Sequence, residues 1–274
     1  MKKLQVRPLH LALLMAVVCL IFVIEAFTAQ HLDYVLPFVG YGGTFADHDL
    51  KILGIPAYWF MMLCGFTASL WISQEKKDVY GLTKAESWLL PTGFLIVSYI
   101  GGKLLYVLEN LDSVIAGGIS FSGLSLFGAI FTVPVVFILI SRSGRLKFSA
   151  AMDLCAIFGL LLLSCVRTGC FLNGCCGAKT IWSGLRPIIL PVQLIEVVMD
   201  LLILEVCFAV ERRCPRQGRM YPILMVGYGL CRFFLEFLRK GSETVLGLPS
   251  GQVLAIMCAT IGLILLIRIH KKTK

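Results

Sequence analysis

The sequence predicts an all-α polytopic membrane protein with about eight transmembrane helices. Of its 274 residues, 58% are hydrophobic and only 15% are charged, whereas a soluble domain carries about 25% charge. The mean hydropathy is +0.87. So few charged residues cannot keep the surface of a soluble chain this long in contact with water. No polar linker is long enough to separate two domains. We therefore expect one helical bundle inside a bilayer.

Eight apolar segments have the length of a membrane-spanning helix, which needs about 20 mostly apolar residues. The first segment follows a basic start, so it also fits a cleaved signal peptide. Because no clean Ala-x-Ala site follows it, we favour an uncleaved signal anchor. The eight segments cover residues 9–27, 52–72, 88–108, 124–140, 153–169, 192–210, 220–238 and 250–269.

The basic residues predict the orientation of these helices, because Lys and Arg are enriched in cytoplasmic loops. With eight helices, five basic segments fall on one side: 1–7, 73–84, 141–147, 211–219 and 268–274. Both termini are then cytoplasmic. The opposite loops 31–51 and 109–123 are nearly free of Lys and Arg, although Lys179, Arg186, Arg239 and Lys240 lie in the other two outer loops. The net charge of +9 therefore does not require a nucleic-acid partner.

Ionisable residues inside apolar segments usually face a bundle interior or a cavity. Arg167 ends one apolar segment and begins a turn rich in Gly, Asn and Cys. It either reaches the outer headgroups or forms an anion site, because a guanidinium binds phosphate with two hydrogen bonds. Gln193, Glu196 and Asp200 share one face of the next helix. These three side chains either form hydrogen bonds to neighbouring helices, or Glu196 orients a cationic partner such as an arginine.

A third polar group follows in the segment 227–241. Arg232, Glu236 and Arg239 share one helix face, and Arg232 and Glu236 have the spacing of a neutralising pair. Two arginines and inward carboxylates together describe a polar cavity that suits the phosphate of a lipid headgroup.

The chain has eleven cysteines, most of which are expected to be small buried apolar residues. Cys170, Cys175 and Cys176 instead cluster in the turn after Arg167. A disulfide from Cys170 to Cys175 or Cys176, a reactive thiol, and a metal site are the alternatives. Three thiols without a nearby histidine are a weak zinc site.

Five motifs resemble, in order, those of the prolipoprotein diacylglyceryl transferases. VRTGCFLNGCCG at 166–177 is similar to that family's Gly-Arg-x-Gly-Asn-Phe-x-Asn-Gly-Glu signature. PVQLIEVVMDLL at 191–202 resembles His-Pro-x-Gln-Leu-Tyr-Glu, and GYGLCRFFLEFLR at 227–239 resembles Tyr-Gly-x-x-Arg-Phe-x-x-Glu-Phe-x-Arg. SYIGGKLLYVLEN at 98–110 and GGISFSGLSLFG at 117–128 resemble the Gly-x-Arg-x-x-Tyr-Val and Ser-Phe-His-Gly stretches. IPAYWFMMLCG at 55–65 weakly resembles the first family helix.

The resemblance implies a seven-helix membrane domain at 51–274, preceded by a signal-anchor helix and outer loop at 1–50. It implies an enzyme of the bacterial plasma membrane that needs no cofactor or metal. The reaction moves a diacylglyceryl group from phosphatidylglycerol to the lipobox cysteine of a prolipoprotein. These two substrates and membrane lipid are the expected partners.

The family motifs also imply residue roles. Arg167 and Arg232 match the family's essential arginines, and Cys170 and Cys175 replace its signature Asn and Glu, so these four are the expected catalytic residues. The expected substrate-binding residues share the same motifs: Tyr58, Lys103, Tyr106, Ser122, Asn173, Gln193, Glu196, Glu236 and Arg239.

The chain departs from the family at the residue that activates the thiol. The family's histidine in Ser-Phe-His-Gly is Ser122 here, and no histidine lies between His48 and His270. We hypothesise that a cysteine thiolate near Arg167 acts as base or nucleophile. The alternative function is a non-transferase or thiol-redox membrane protein that retains a phospholipid-binding cavity.

Overall fold

The computed structural model describes residues 51–117, 123–143, 147–173, 176, 180–183, 187–189, 191–214, 218–239, 244–245 and 248–273. The predicted helix at 9–27 and the N-terminal region 1–50 lie outside these residues. Ser122 and Cys175, two of the expected site residues, also lie outside them.

The described part of the chain is helical. Its helices are α1 (Ala57–Tyr80), α2 (Lys84–Glu109), α3 (Leu111–Gly117), α4 (Leu126–Ser143), α5 (Phe148–Leu172), α6 (Val192–Arg213), α7 (Met220–Glu236) and α8 (Ser250–Thr273). Short antiparallel strand pairs lie between some of them: β1 (Lys51–Ile52) with β2 (Ile55–Pro56), β3 (Thr180–Ser183) with β4 (Pro187–Ile189), and β5 (Thr244–Val245) with β6 (Leu248–Pro249).

All seven apolar segments predicted after residue 50 are helices, which confirms the all-α prediction for the described residues. Their ends differ by a few residues. The helix predicted at 52–72 begins at Ala57, because β1 and β2 precede it, and it continues to Tyr80. The short helix α3 was not predicted, since its seven residues lie inside an expected outer loop.

Three of the described helices are long and apolar enough to cross a membrane: Lys84–Glu109, Phe148–Leu172 and Ser250–Lys271. The apolar helix Leu126–Leu139 is shorter. α2 and α8 also expose large apolar side chains, which lipid solvates and water does not. Those exposed by half or more on α2 are Trp88, Leu89, Ile96, Ile100, Leu104 and Leu108.

Helix α5 forms the centre of the bundle. The side chains of Leu154, Ile157 and Phe158 are completely buried, and α5 packs against α1, α6 and α7. Its contact with α1 is close, because a Cβ atom on Gly65 would lie 2.9 Å from the Cα of Leu162. A larger residue at position 65 would therefore push α1 away from α5.

A buried carboxylate fixes α7 against α5. Asp153, near the start of α5, accepts hydrogen bonds from the backbone N–H groups of Gly218 (2.9 Å) and Met220 (2.8 Å). Met220 is the first residue of α7, whose first N–H groups have no partner within the helix. Asp153 supplies that partner and thereby sets the register of α7 relative to α5.

A second buried carboxylate joins α6 to α1. Glu211, in the last turn of α6, pairs with Lys76 and accepts a hydrogen bond of 2.8 Å from the Tyr80 hydroxyl. Burial and the adjacent Glu211 carboxylate raise the pKa of Tyr80 far above its usual range, so Tyr80 stays a donor. At this end of the bundle, α5 is thus tied to α7, and α6 is tied to α1.

Candidate functional site

Glu196 is the centre of a buried ionic cluster. Its side chain is 2% exposed, and it lies in the second turn of α6. One carboxylate oxygen pairs with Nε of Arg167 on α5. The other oxygen contacts Nη1 of Arg232 at 3.1 Å and Nη1 of Arg239 at 3.0 Å. Arginines from α5, from α7 and from the turn after α7 therefore meet at one carboxylate.

The helix geometry explains this convergence. Arg167 lies in the second-last turn of α5, and Arg232 lies in the last turn and a half of α7. Arg239 follows in the turn after α7, where its backbone N–H donates to the Glu236 carbonyl at 3.3 Å. Because the spacing from Arg232 to Arg239 is seven residues, both side chains lie on the side of α7 that faces α6.

Glu236 adds a second carboxylate to the cluster. Its Oε2 pairs with Nη2 of Arg232 at 3.0 Å, one helical turn away. The start of α8 presses on the same carboxylate, because a Cβ atom on Gly251 would lie 2.8 Å from Cδ of Glu236. Any side chain at position 251 would therefore require the Glu236 carboxylate to shift from its position beside Arg232.

The cluster is chemically suited to an anion. The three arginines are 11–14% exposed and permanently charged. Two paired carboxylates, Glu196 and Glu236, leave one positive charge in the set of five. Among the contacts that the described residues make, Glu196 uses only one nitrogen of each arginine. Nη2 of Arg232 pairs with Glu236, and the guanidinium groups as a class can present paired N–H groups to a phosphate.

The same α6 face carries two more buried polar side chains. Gln193 is 5% exposed and lies in the first turn of α6, and Asp200 is 1% exposed and lies one turn beyond Glu196. Sequence spacing had placed these three residues on one helix face. The packing of α6 shows that this face is turned toward the protein interior.

The cysteine turn predicted to begin at Arg167 is helical up to Leu172, so Arg167 and Cys170 both lie on α5. Cys170 is 3% exposed, while Cys176 is exposed and has a positive φ of 61°. Both are electrostatic neighbours of the Arg167 guanidinium. Asn173 ends α5, and its side-chain oxygen is buried without a hydrogen-bond partner among the described residues.

Lys103 and Tyr106 form a second group of contacts near the C-terminal end of α2. Lys103 Nζ donates to the Gly123 carbonyl at 3.3 Å and lies 5.0 Å from the centre of the Tyr106 ring. Gly123 has a φ of +83°, and a Cβ atom there would lie 2.3 Å from the ring of Tyr106. The residue after Ser122 is therefore held directly against Tyr106.

Tyr58 lies in the first turn of α1, close to the end of α5. A Cβ atom on Gly169 would lie 3.0 Å from the Cα of Tyr58. This contact brings Tyr58 to the helix end that carries Arg167 and Cys170. Sequence reasoning alone did not identify Gly123 or Gly251 as site residues, because their importance depends on which side chain lies opposite.

Comparisons with known proteins agree with the motifs. The family model for prolipoprotein diacylglyceryl transferase matches residues 48–268. The phosphatidylglycerol–prolipoprotein diacylglyceryl transferase of Pseudoalteromonas atlantica is 28% identical over 81% of this chain and 88% of its own length. The enzyme of the same name from Dehalococcoides mccartyi is 26% identical, over 68% of this chain and 75% of its own. That from Escherichia coli is 25% identical, over 79% and 89%.

The family model covers most of the chain, including every helix from α1 to α7 and most of α8. The ionic cluster, the cysteine turn and the Lys103–Tyr106 group all lie within the matched residues. The chain is therefore a multi-pass membrane protein that belongs to the prolipoprotein diacylglyceryl transferase family.

Proposed function

We propose that this protein transfers a diacylglyceryl group from phosphatidylglycerol to the lipobox cysteine of a prolipoprotein, in the bacterial plasma membrane. The observation that carries the proposal is the convergence of Arg167, Arg232 and Arg239 on Glu196. A membrane-embedded site with three arginines is costly to build. An anionic lipid headgroup explains why the chain retains it.

The reaction places definite demands on this site. The thiol sulfur forms a bond to the terminal glycerol carbon of the diacylglyceryl group, and the bond from that carbon to a phosphate oxygen breaks. The oxygen leaves with the bonding electrons, and the thiol proton is finally carried by the released glycerol phosphate. Arg167 and Arg232 stabilise the negative charge that develops on the phosphate. Stabilisation of developing charge is usually the largest single contribution to the rate enhancement of an enzyme.

The remaining residues are assigned to substrate binding. The carboxylates Glu196 and Glu236 hold Arg167 and Arg232 in place around the headgroup. Arg239, which also contacts Glu196, adds a third positive charge. We assign Tyr58, Lys103, Tyr106, Ser122, Asn173 and Gln193 to the lipid and the acceptor peptide. Residues 51–274 form the transferase domain in this proposal, with residues 1–50 as its signal-anchor helix and outer loop.

Substitution of Arg167 by alanine tests the proposal most directly. We expect the rate of lipidation of a lipobox peptide by purified protein in phosphatidylglycerol vesicles to fall about 100- to 1,000-fold, as for loss of one charge-stabilising donor. Arg212→Ala is the matched control, because Arg212 is 61% exposed and pairs only weakly with Glu205 at 3.4 Å. Equal rates for the two variants would contradict the assigned role of Arg167.

The cysteine hypothesis has its own test. We expect combined serine substitution of Cys170, Cys175 and Cys176 to lower the lipidation rate if a thiolate beside Arg167 is needed for the reaction. Full activity of the triple variant removes all three thiols from the mechanism. The lipidated peptide is measured by mass spectrometry, with Cys258→Ser as control because that thiol is buried on α8.

The absence of the family histidine favours one alternative function. A protein that binds phosphatidylglycerol without transferring its diacylglyceryl group, or that exchanges thiols near the bound lipid, needs no histidine at position 122. Complementation separates the two functions. If the chain does not rescue cells depleted of their transferase, and membranes that contain it do not lipidate a lipobox peptide, the transferase proposal is wrong.

A further inference from the structure

Asp200 is a buried carboxylate that the proposed site does not yet use. It lies on α6 one turn beyond Glu196, and its side chain is 1% exposed. One carboxylate oxygen, Oδ2, has no hydrogen-bond partner among the described residues. A buried carboxylate oxygen without a hydrogen-bond partner is energetically unfavourable, so its presence beside the ionic cluster calls for a role.

The groups around Asp200 belong to the ionic cluster and its surroundings. From its own helix Glu196 faces it, and from α5 Arg167 does. From α7 its electrostatic neighbours are Tyr228 and Cys231, both buried. Asp200 therefore borders the ionic cluster and lies among buried groups of α5, α6 and α7.

The proposed reaction needs a first acceptor for the thiol proton, and the cysteine thiolate considered above is one candidate. A thiol must lose its proton to become an effective nucleophile. The family position for the histidine is Ser122, and no histidine lies between His48 and His270. The described bundle therefore has to supply a different base.

Depth in the membrane favours Asp200 for this role. In a phospholipid the glycerol carbons lie on the hydrocarbon side of the phosphate. In the predicted orientation α6 runs inward from the outer surface, so four residues place Asp200 about 6 Å deeper than Glu196. A phosphate held at the level of Glu196 has its reacting carbon on the side toward Asp200.

We propose that Asp200 accepts the proton of the lipobox thiol, an inference that rests on the proposed transferase function. As the sulfur–carbon bond forms and the carbon–oxygen bond to phosphate breaks, the thiol proton moves to the Asp200 carboxylate. Asp200 then passes the proton to the released glycerol phosphate. The carboxylate is restored and the step needs no other reactant.

The test compares two acceptor peptides that differ in one atom. One lipobox peptide carries cysteine, and the other carries selenocysteine, whose selenol is already ionised at neutral pH and needs no base. We expect Asp200→Asn to lower kcat for the cysteine peptide about 100-fold, in the range of general base catalysis. With the selenocysteine peptide the same variant should work at nearly the wild-type rate, and KM for phosphatidylglycerol should be unchanged with both peptides.

Two controls make the result specific. Glu205→Gln removes another carboxylate from α6, one that pairs with Arg212 at the surface, and should leave both rates unchanged. Asp200→Glu keeps the carboxylate and should recover part of the rate. If Asp200→Asn does not fold, Asp200→Ser removes the carboxylate without adding volume, and the same comparison of peptides applies.

The possible outcomes are distinct. An equal loss with both peptides indicates a purely structural role and overturns the inference, as does an unchanged rate with the cysteine peptide. If the wild-type protein modifies neither peptide, the transferase function itself is wrong and the role of Asp200 is rejected with it.

Discussion

Glu196 illustrates at the scale of one residue how a buried charge is made tolerable. A lone buried carboxylate is strongly unfavourable, but contact with three guanidinium groups compensates it. The arginines depend on Glu196 in turn, because each would otherwise repel the other two. The geometry of the cluster therefore depends more on this one carboxylate than on any single arginine.

Removal of Glu196 should destabilise the protein. We expect Glu196→Ala to lower the free energy of unfolding in detergent by about 3–5 kcal/mol, the cost of leaving a buried charge unpaired. Glu205→Ala is the control, since Glu205 pairs at 3.4 Å with Arg212, which is 61% exposed, and such solvent-screened pairs contribute about 1 kcal/mol or less. Similar unfolding midpoints for the two variants would show that Glu196 does not stabilise the cluster.

Gly251 should be sensitive to substitution because its Cα lies against the Glu236 carboxylate, and not because it takes part in the reaction. We expect Gly251→Ala to displace Glu236 from Arg232 and to lower the lipidation rate, because the new Cβ atom would lie 2.8 Å from Cδ of Glu236. Gly93→Ala is the control, since a Cβ atom there meets nothing within 4 Å. A fully active Gly251→Ala variant would mean that Glu236 has room to move.

At the scale of the elements, the site depends on the register of α5, α6 and α7. Arg167 lies 14 residues beyond Asp153 on α5, and Arg232 lies 12 residues beyond Met220 on α7. The two helices run in the same direction from the Asp153 contact and bring both arginines to Glu196 on the antiparallel helix α6. A shift of one turn in either helix would move an arginine by about 5.4 Å.

The Asp153 contact should therefore affect both stability and activity. We expect Asp153→Ala to lower the free energy of unfolding by about 2–5 kcal/mol, because two buried backbone N–H groups lose their acceptor. The lipidation rate should fall as well, although Asp153 lies at the other end of the bundle from the arginines. Asp112→Ala is the control, because Asp112 is exposed. Normal stability of the Asp153→Ala variant would contradict the role of Asp153 in fixing α7 against α5.

At the scale of the whole molecule, the distribution of charge predicts the orientation in the membrane. Basic residues cluster in segments that adjoin the start of α2, the ends of α4 and α6, and the end of α8. The arginine cluster lies toward the opposite ends of its helices. In the predicted orientation this arrangement places the arginine cluster toward the outer leaflet, where the acceptor of the proposed reaction would present its lipobox.

Reporter fusions test this orientation. Alkaline phosphatase, which is active only outside the cytoplasm, should be active when fused after residue 117. It should be inactive when fused after residue 143 or 213, where green fluorescent protein should instead fluoresce. The reverse pattern would turn the arginine cluster toward the cytoplasm and would exclude a role in modifying secreted prolipoproteins.

The sequence by itself determined the helices, the membrane setting and the family. Apolar segments of spanning length predict helices without knowledge of their neighbours, and five motifs in order identify the family. The same local patterns placed Glu196 and Asp200 on one face of α6. The helix ends were less accurate, because residues such as Lys51–Pro56 and Leu111–Gly117 form short structures that apolar periodicity does not encode.

Only the tertiary structure decided how these residues meet. That Arg167, Arg232 and Arg239 share one carboxylate depends on the packing of α5, α6 and α7, and no spacing within one segment encodes it. The need for glycine at position 251 depends on the side chain that α7 places opposite. The unpartnered oxygen of Asp200 likewise became visible only through its neighbours. Local periodicity determines which face a residue occupies, whereas the contacts across helices determine what that residue does.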